Sequence, residues 1–153
     1  MNHDLTTGSS SSLSSGDKTA VSSDDHSTLL RLSQNLLDSI DQRDWDTYKQ
    51  LCDDTLTAFE PEAAGHLVEG MAFHEFYLAA GPDKTTRQST ISSPHVRRIA
   101  PVAVVSYIRL LQVTTPEGHT STTTVEETRV WEEKESGWQH VHFHRSPAGC
   151  YAP

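Results

Sequence analysis

Cysteine is scarce in this chain: Cys52 and Cys150 are the only two. That excludes a disulfide framework, and neither has metal-ligand spacing, so a reduced, cytoplasmic protein is expected. Long apolar runs are missing as well, so no membrane-spanning helix is expected. Positive charge is in short supply. Twelve Lys and Arg stand against 21 Asp and Glu, giving a formal net charge of −9. Nucleic acid and anionic membranes would repel such a chain, so neither is expected as a partner. The leader "MNHDLTTGSSSSLSSGDKTAVSSDD" has no apolar middle and therefore does not read as a secretory signal. Its four aspartates and lack of arginine argue against an organelle transit peptide. There is no G-x-S-x-G, no phosphate loop and no dinucleotide fingerprint. No cofactor is expected.

What is present divides into two parts. Residues 1–26 are a Ser/Thr/Asp-rich stretch with almost nothing to bury, expected to be a disordered tail. Residues 27–153 have the length and pattern of one domain with a core. In "STLLRLSQNLLDSIDQR", Leu29, Leu36, Leu37 and Ile40 recur at helical spacing, and Ser27 is the expected N-cap. "DWDTYKQLC" reads as a second short helix capped by Asp44, with Trp45, Tyr48, Leu51 and Cys52 on one face. "TLTAFEPEAAG" reads as a short strand broken by Pro61. "MAFHEFYLAAG" reads as a short helix ending at Gly81.

From Thr85 the period changes to two. "TTRQSTIS" and "PHVRRIA" suggest short strands, or one strand interrupted at Pro94. "VAVVSYIRLLQVTT", "TSTTTVEETRVWEE" and "WQHVHFHRS" are strands joined by the turns "PEGH" and "KESG". Helices followed by a strand meander predict an α+β domain, its antiparallel sheet covered on one side by helices.

Parity along the last three strands is informative, because residues two apart share a face. Val105, Tyr107, Arg109, Leu111 and Val113 fall together, as do Val125, Glu127, Arg129 and Trp131, and then Val141, Phe143 and Arg145. Each strand sets one arginine in an apolar row. A buried guanidinium needs a partner, so the face must hold acids, an anionic ligand or water. Glu127 is one candidate acid, and Glu60 or Glu62 could fold in from "FEPEA". The planar fork of arginine matches a carboxylate, which makes such a cluster a carboxylate or phosphate pocket. Ordinary structural ion pairs are the plain alternative.

Register decides whether the arginines converge. A three-residue loop, Glu135 to Gly137, sets Arg129 opposite Phe143, whereas a two-residue loop sets it opposite His142. The apolar pattern favours the first. On the other parity, His140, His142 and His144 point one way, away from the arginines. Neighbours on one strand face lie about 6 to 7 Å apart, and no further ligand has matching spacing, so no metal site is expected. Cys52 on an apolar stripe reads as a packing residue. General acid–base work by His74 with Glu60 is conceivable, but no motif marks it.

The phrases "CDDTLTAFEPEAAGHLVEGMAFHEFY", "SPHV", "SYIRLLQ" and "EETRVWEEKESGWQHVHFHRS" resemble the association (hub) domain of calcium/calmodulin-dependent protein kinase II from about Leu29 to Ser146. The resemblance implies a nuclear-transport-factor-2-like cone, with an N-terminal helix laid on a strongly curved antiparallel sheet. It implies a non-catalytic scaffold that self-assembles into a homo-oligomeric ring, a dodecamer, tetradecamer or larger, with hub domains of related kinases as further partners. It also implies a small-carboxylate pocket at Arg109, Arg129, Arg145 and His74; Glu60 and Glu127, from the residue pattern above, are the candidate pocket acids. No kinase domain or calmodulin-binding helix fits in the chain, so a free-standing hub is expected. Where the family carries an aromatic over the pocket mouth, this chain reads "LAAGPDKTT". The alternative on the same fold is an isomerase- or hydratase-type enzyme using the same pocket.

Overall fold

Helical periodicity in the first ordered segment and strict alternation in the second produce two layers. The computed structural model describes residues 23–80 and 84–149. Helix α1 (Ser23–Gln42) buries Leu29, Leu36 and Leu37 completely. Full burial of a leucine side chain is worth about 1.5–3 kcal/mol. The helix begins four residues before the expected boundary. Ser27 is therefore not its N-cap but lies inside it, its hydroxyl donating to the Asp24 carbonyl at 3.0 Å. Of the expected tail, residues 1–22 lie outside the described residues.

Arg43 enters the left-handed region (φ 56°), and the backbone N–H of Asp44 returns to the Ser39 carbonyl at 2.8 Å. This closes α1 and frees Asp44 to cap α2 (Trp45–Leu51), accepting from the Thr47 amide at 3.1 Å. Such a cap satisfies one of the amides that a helix start leaves unpaired. Cys52 ends the helix and opens strand β1 (Cys52–Phe59), so it packs from a strand rather than from the expected helix face. A 3₁₀ turn (Pro61–Ala63) and strand β2 (Val68–Glu69) lead into helix α3 (Ala72–Leu78). The expected close at Gly81 lies outside the described residues.

Four long strands follow: β3 (Thr86–Ile99), β4 (Val102–Thr114), β5 (Thr120–Lys134) and β6 (Gly137–Pro147). The six strands form one sheet in the order β2-β1-β6-β5-β4-β3. The expected α+β layering is present. The sheet is antiparallel at every pairing but one, since β1 runs parallel to β6. That pairing needs a crossover, and the long excursion through α3, β3, β4 and β5 supplies it. "TTRQSTIS" and "PHVRRIA" belong to one strand, bulged at Ser93–Pro94, where Ser93 takes φ 50°. Pro94 has no amide to donate, and a bulge is where a strand tolerates that.

The β5–β6 hairpin corrects the expected register argument. The turn is the two-residue one, Glu135–Ser136, with Lys134 opposite Gly137. Taken alone it would set Arg129 opposite His142. Between Val130 and Trp131 the register slips by one residue, leaving Val141 as the bulge, so Arg129 does face Phe143. The slip also reverses one expectation. His140, not Val141, turns inward and pairs with Trp131, and His140 and Trp131 are both fully buried. His142 and His144 stay on the outer face, their rings against Phe59. The covered face of the sheet packs on α1, where the Gln34 amide donates to the Ser89 carbonyl at 2.9 Å.

Candidate functional site

The covered face closes around a cavity of about 340 Å³ lined by Asp41, Glu60, Glu62, His74, Arg109, Arg129 and Arg145, with Arg43 and Arg87 also on its wall. The apolar wall comes from Ile40, Tyr48, Phe73, Leu78, Leu111 and Phe143. Arg109, Arg129, Arg145, His74 and Glu60 are thus brought to one place. Glu127 lies behind the lining and bonds two of the arginines.

Strand pleat explains the floor. Arg109 on β4 and Glu127 and Arg129 on β5 all point inward, because Tyr107 pairs with Glu127 and Val105 with Arg129. The Arg109 side chain donates through Nε to Ser89 Oγ (2.8 Å), through Nη1 to Glu127 Oε1 (3.3 Å) and through Nη2 to Asp41 Oδ1 (2.9 Å). That of Arg129 donates through Nη2 to Glu127 Oε2 (2.7 Å) and through Nε to the Tyr107 hydroxyl (2.6 Å). Its guanidinium lies over the Phe143 ring at 4.8 Å. All four charged side chains, Asp41, Arg109, Glu127 and Arg129, are 6% exposed or less. Burial alone would push the Glu127 carboxyl up, but Arg129 and Arg109 outweigh it and hold it below its ordinary range. The mutual pairing of these four groups is what makes so much buried charge tolerable.

His140 sits beside this floor. Its Nε2 is 3.3 Å from Arg129 Nη1 and its Nδ1 is 3.5 Å from Cys52 Sγ. A guanidinium can only donate, so Nε2 accepts and the ring proton is on Nδ1, facing sulfur. Burial, then the positive charge of Arg129, holds His140 well below its ordinary range and therefore neutral. Burial likewise raises the Cys52 thiol to about 12, so it is a packing group and not a nucleophile.

The mouth is built differently. Arg145 on β6 donates through Nη2 both to Glu60 Oε2 (3.0 Å) and to Glu62. Glu60 is 9% exposed, whereas Glu62 is 41% exposed. His74 on α3 approaches Glu60 Oε1 at 3.5 Å without hydrogen-bond geometry, and both His74 Nε2 and Glu60 Oε1 are buried without a hydrogen-bond partner. Burial, with Arg129 and Arg145 nearby, lowers the His74 ring to about 4. Burial also raises Glu60, only partly countered by Arg145. Among the described residues, no group of His, Cys, Asp and Glu is arranged to hold a metal.

Sequence reasoning did not single out Asp41. A signal was available: Asp41 lies four residues after Leu37, on the buried stripe of α1, where an acid needs a buried cation. Arg43 and Arg87 were also missed: Arg43 lies just past the end of α1, and Arg87 lies on β3, outside the three strands whose parity sets the other arginines together. Residues 81–83, in the segment "LAAGPDKTT", lie outside the described residues.

Residues 25–149 match the family model described as the calcium/calmodulin dependent protein kinase II association domain. The chain is 43% identical over 121 residues to the calcium/calmodulin-dependent protein kinase type II alpha chain of Drosophila melanogaster, and 42% identical over 121 residues to the type II subunit delta of Oryctolagus cuniculus. Each match covers 77% of this chain and 23% of the relative, so the chain spans about a quarter of the length of those kinases. Among solved structures, the Chlamydamonas reinhardtii CamKII hub homology domain is 46% identical with a TM-score of 0.74, covering 80% of this chain and 98% of that one. The association domain of C. elegans CaMKII is 39% identical with a TM-score of 0.73, covering 79% and 94%. An NTF2-like protein of Cytophaga hutchinsonii, at 22% identity and a TM-score of 0.65 over 80% of this chain and 97% of that one, shares the fold. A helix laid on a six-stranded sheet, agreement with hub domains over nearly their whole length and a family match across the described residues lead to one conclusion: this chain belongs to the calcium/calmodulin-dependent protein kinase II association domain family.

Proposed function

We propose that the chain is a non-catalytic association module that assembles with copies of itself into a closed ring in the cytoplasm, a dodecamer, a tetradecamer or larger. Hub domains of related kinases are the natural further partners. Family membership supports self-association. So do the apolar side chains that a lone domain leaves in water, above all Phe76, 74% exposed beside a half-exposed Tyr77. Light scattering at micromolar concentration tests the assembly, and a monomer would overturn it.

The cavity is proposed to hold a small carboxylate. The observation that carries this reading is Arg145, a half-buried guanidinium at the mouth of an apolar-walled cavity whose two acid contacts both run through Nη2. Such a fork is suited to a bidentate carboxylate. A bound carboxylate should raise the melting temperature by mass action, and Arg145→Ala should remove that rise. Unchanged melting of the wild-type chain across a carboxylate panel would overturn the reading.

The chemistry of the site supports a binder over a catalyst. A histidine near pKa 4 is a weak base at neutral pH, and Glu60 is engaged by Arg145. The alternative, an isomerase- or hydratase-type enzyme, draws on the raised carboxyl of Glu60 facing the cavity. Fold does not settle the choice. Turnover of a candidate substrate that Glu60→Gln abolishes would decide for the enzyme.

A further inference from the structure

The cavity's arginines are held in two different ways. On the floor, Arg109 and Arg129 meet Asp41 and Glu127, two cations against two acids, all deeply buried. At the mouth, one cation meets two acids: Glu60 and Glu62 converge on the same nitrogen of Arg145. Like charges brought to one donor repel each other, and the proximity of Glu62 is one of the causes that raise Glu60. The two acids are not equally fixed. Glu60 is enclosed beside His74, whereas Glu62 is 41% exposed and can leave Arg145 for water without entering a dry environment.

Glu62 is nevertheless delivered to the mouth by design of the local backbone. Pro61 fixes the first position of the 3₁₀ turn, the Ala63 amide returns to the Glu60 carbonyl at 3.1 Å, and Ala64 closes the turn in the left-handed region at φ 51°. A carboxylate on a short rigid turn is thus held against the guanidinium that a free carboxylate would use. Exchanging one for the other leaves the charge of the cavity unchanged, because one negative group leaves as another arrives.

We propose that Glu62 is a built-in competitor for the anion position of this cavity, a tethered carboxylate whose hold on Arg145 weakens the binding of a free small carboxylate there. The proposal rests on the reading of the cavity as a carboxylate site and adds its regulation: whatever draws the Pro61–Ala63 turn outward opens the site.

The test is calorimetric titration of propionate into the whole chain, as wild type, Glu62→Gln and Glu69→Gln. Glu69 is an exposed glutamate on β2, outside the cavity, and controls for the change in net charge. Expected is a dissociation constant lower by about fivefold in Glu62→Gln, the order of one exposed ion pair, with Glu69→Gln unchanged. Glu62→Ala should reproduce the gain. Binding that Glu62→Gln alone makes measurable would also support the proposal. If the wild type binds but Glu62→Gln binds equally or more weakly, the competitor is refuted while the carboxylate reading stands. If neither binds at millimolar propionate, the carboxylate reading falls, and the competitor with it.

Discussion

Glu127→Gln isolates the electrostatics of the cavity floor, because it removes a charge while keeping shape and a hydrogen-bonding oxygen. In the wild-type chain Glu127 is 2% exposed and serves Arg109, Arg129 and the Tyr107 hydroxyl at once. After the change, Arg109 keeps Asp41 and Ser89. The contacts of Arg129 that remain, to the Tyr107 hydroxyl and the His140 ring, are neutral, and its guanidinium is 1% exposed. Breaking a buried pair so that one charge is left uncompensated costs about 3–5 kcal/mol. For a domain of this size 1 kcal/mol corresponds to about 4 °C, so the melting temperature should fall by about 12–20 °C. The assay is a thermal melt followed by circular dichroism at one fixed protein concentration, since assembly couples to stability. Glu133→Gln is the control: Glu133 is an exposed partner of Arg98, and such pairs are worth at most about 1 kcal/mol. A melting temperature no lower for Glu127→Gln than for Glu133→Gln would refute the claim that mutual charge pairing holds the floor.

Two further outcomes are expected. His74 is lowered from an ordinary value near 6.5 to about 4, and His140 is lowered as well, so the unfolded chain binds more protons than the folded one between those limits. The stability these rings contribute is complete above pH 6.5 and is lost as pH falls toward 4, at up to about 1.4 kcal/mol per pH unit for His74. Glu60, raised by burial, acts in the opposite sense above its ordinary value of 4.5. A urea midpoint at pH 5 equal to or above that at pH 7.5 would contradict this. Separately, Phe76→Asp, at a side chain 74% exposed, should preserve the circular dichroism spectrum and lower the mass of the assembly; an unchanged mass would remove Phe76 from the contact surface.

The sequence carried much of this architecture in its periods. Leu29, Leu36 and Leu37 announced the buried stripe of α1, and alternation through Tyr107, Arg109, Glu127 and Arg129 announced one inward face. Those signals are local and depend only on helix twist and strand pleat. What stayed hidden was set by tertiary geometry. The bulge at Val141 turns His140 into the core, and no composition rule marks a bulge in a run of "HVHFH". The parallel pairing of β1 with β6 joins segments about 80 residues apart. The acid Asp41 reaches the cavity from a helix end, where strand parity has no meaning. The plain alternative of structural ion pairs also has its share: Arg109 and Arg129 are paired with protein acids, and Arg145 stands nearest to solvent.

The central claim is self-assembly, and the intact mass of the purified chain under native conditions tests it most directly. A discrete species of twelve, fourteen or more copies is the expected result. A single chain at micromolar concentration, correctly folded by circular dichroism, would contradict it.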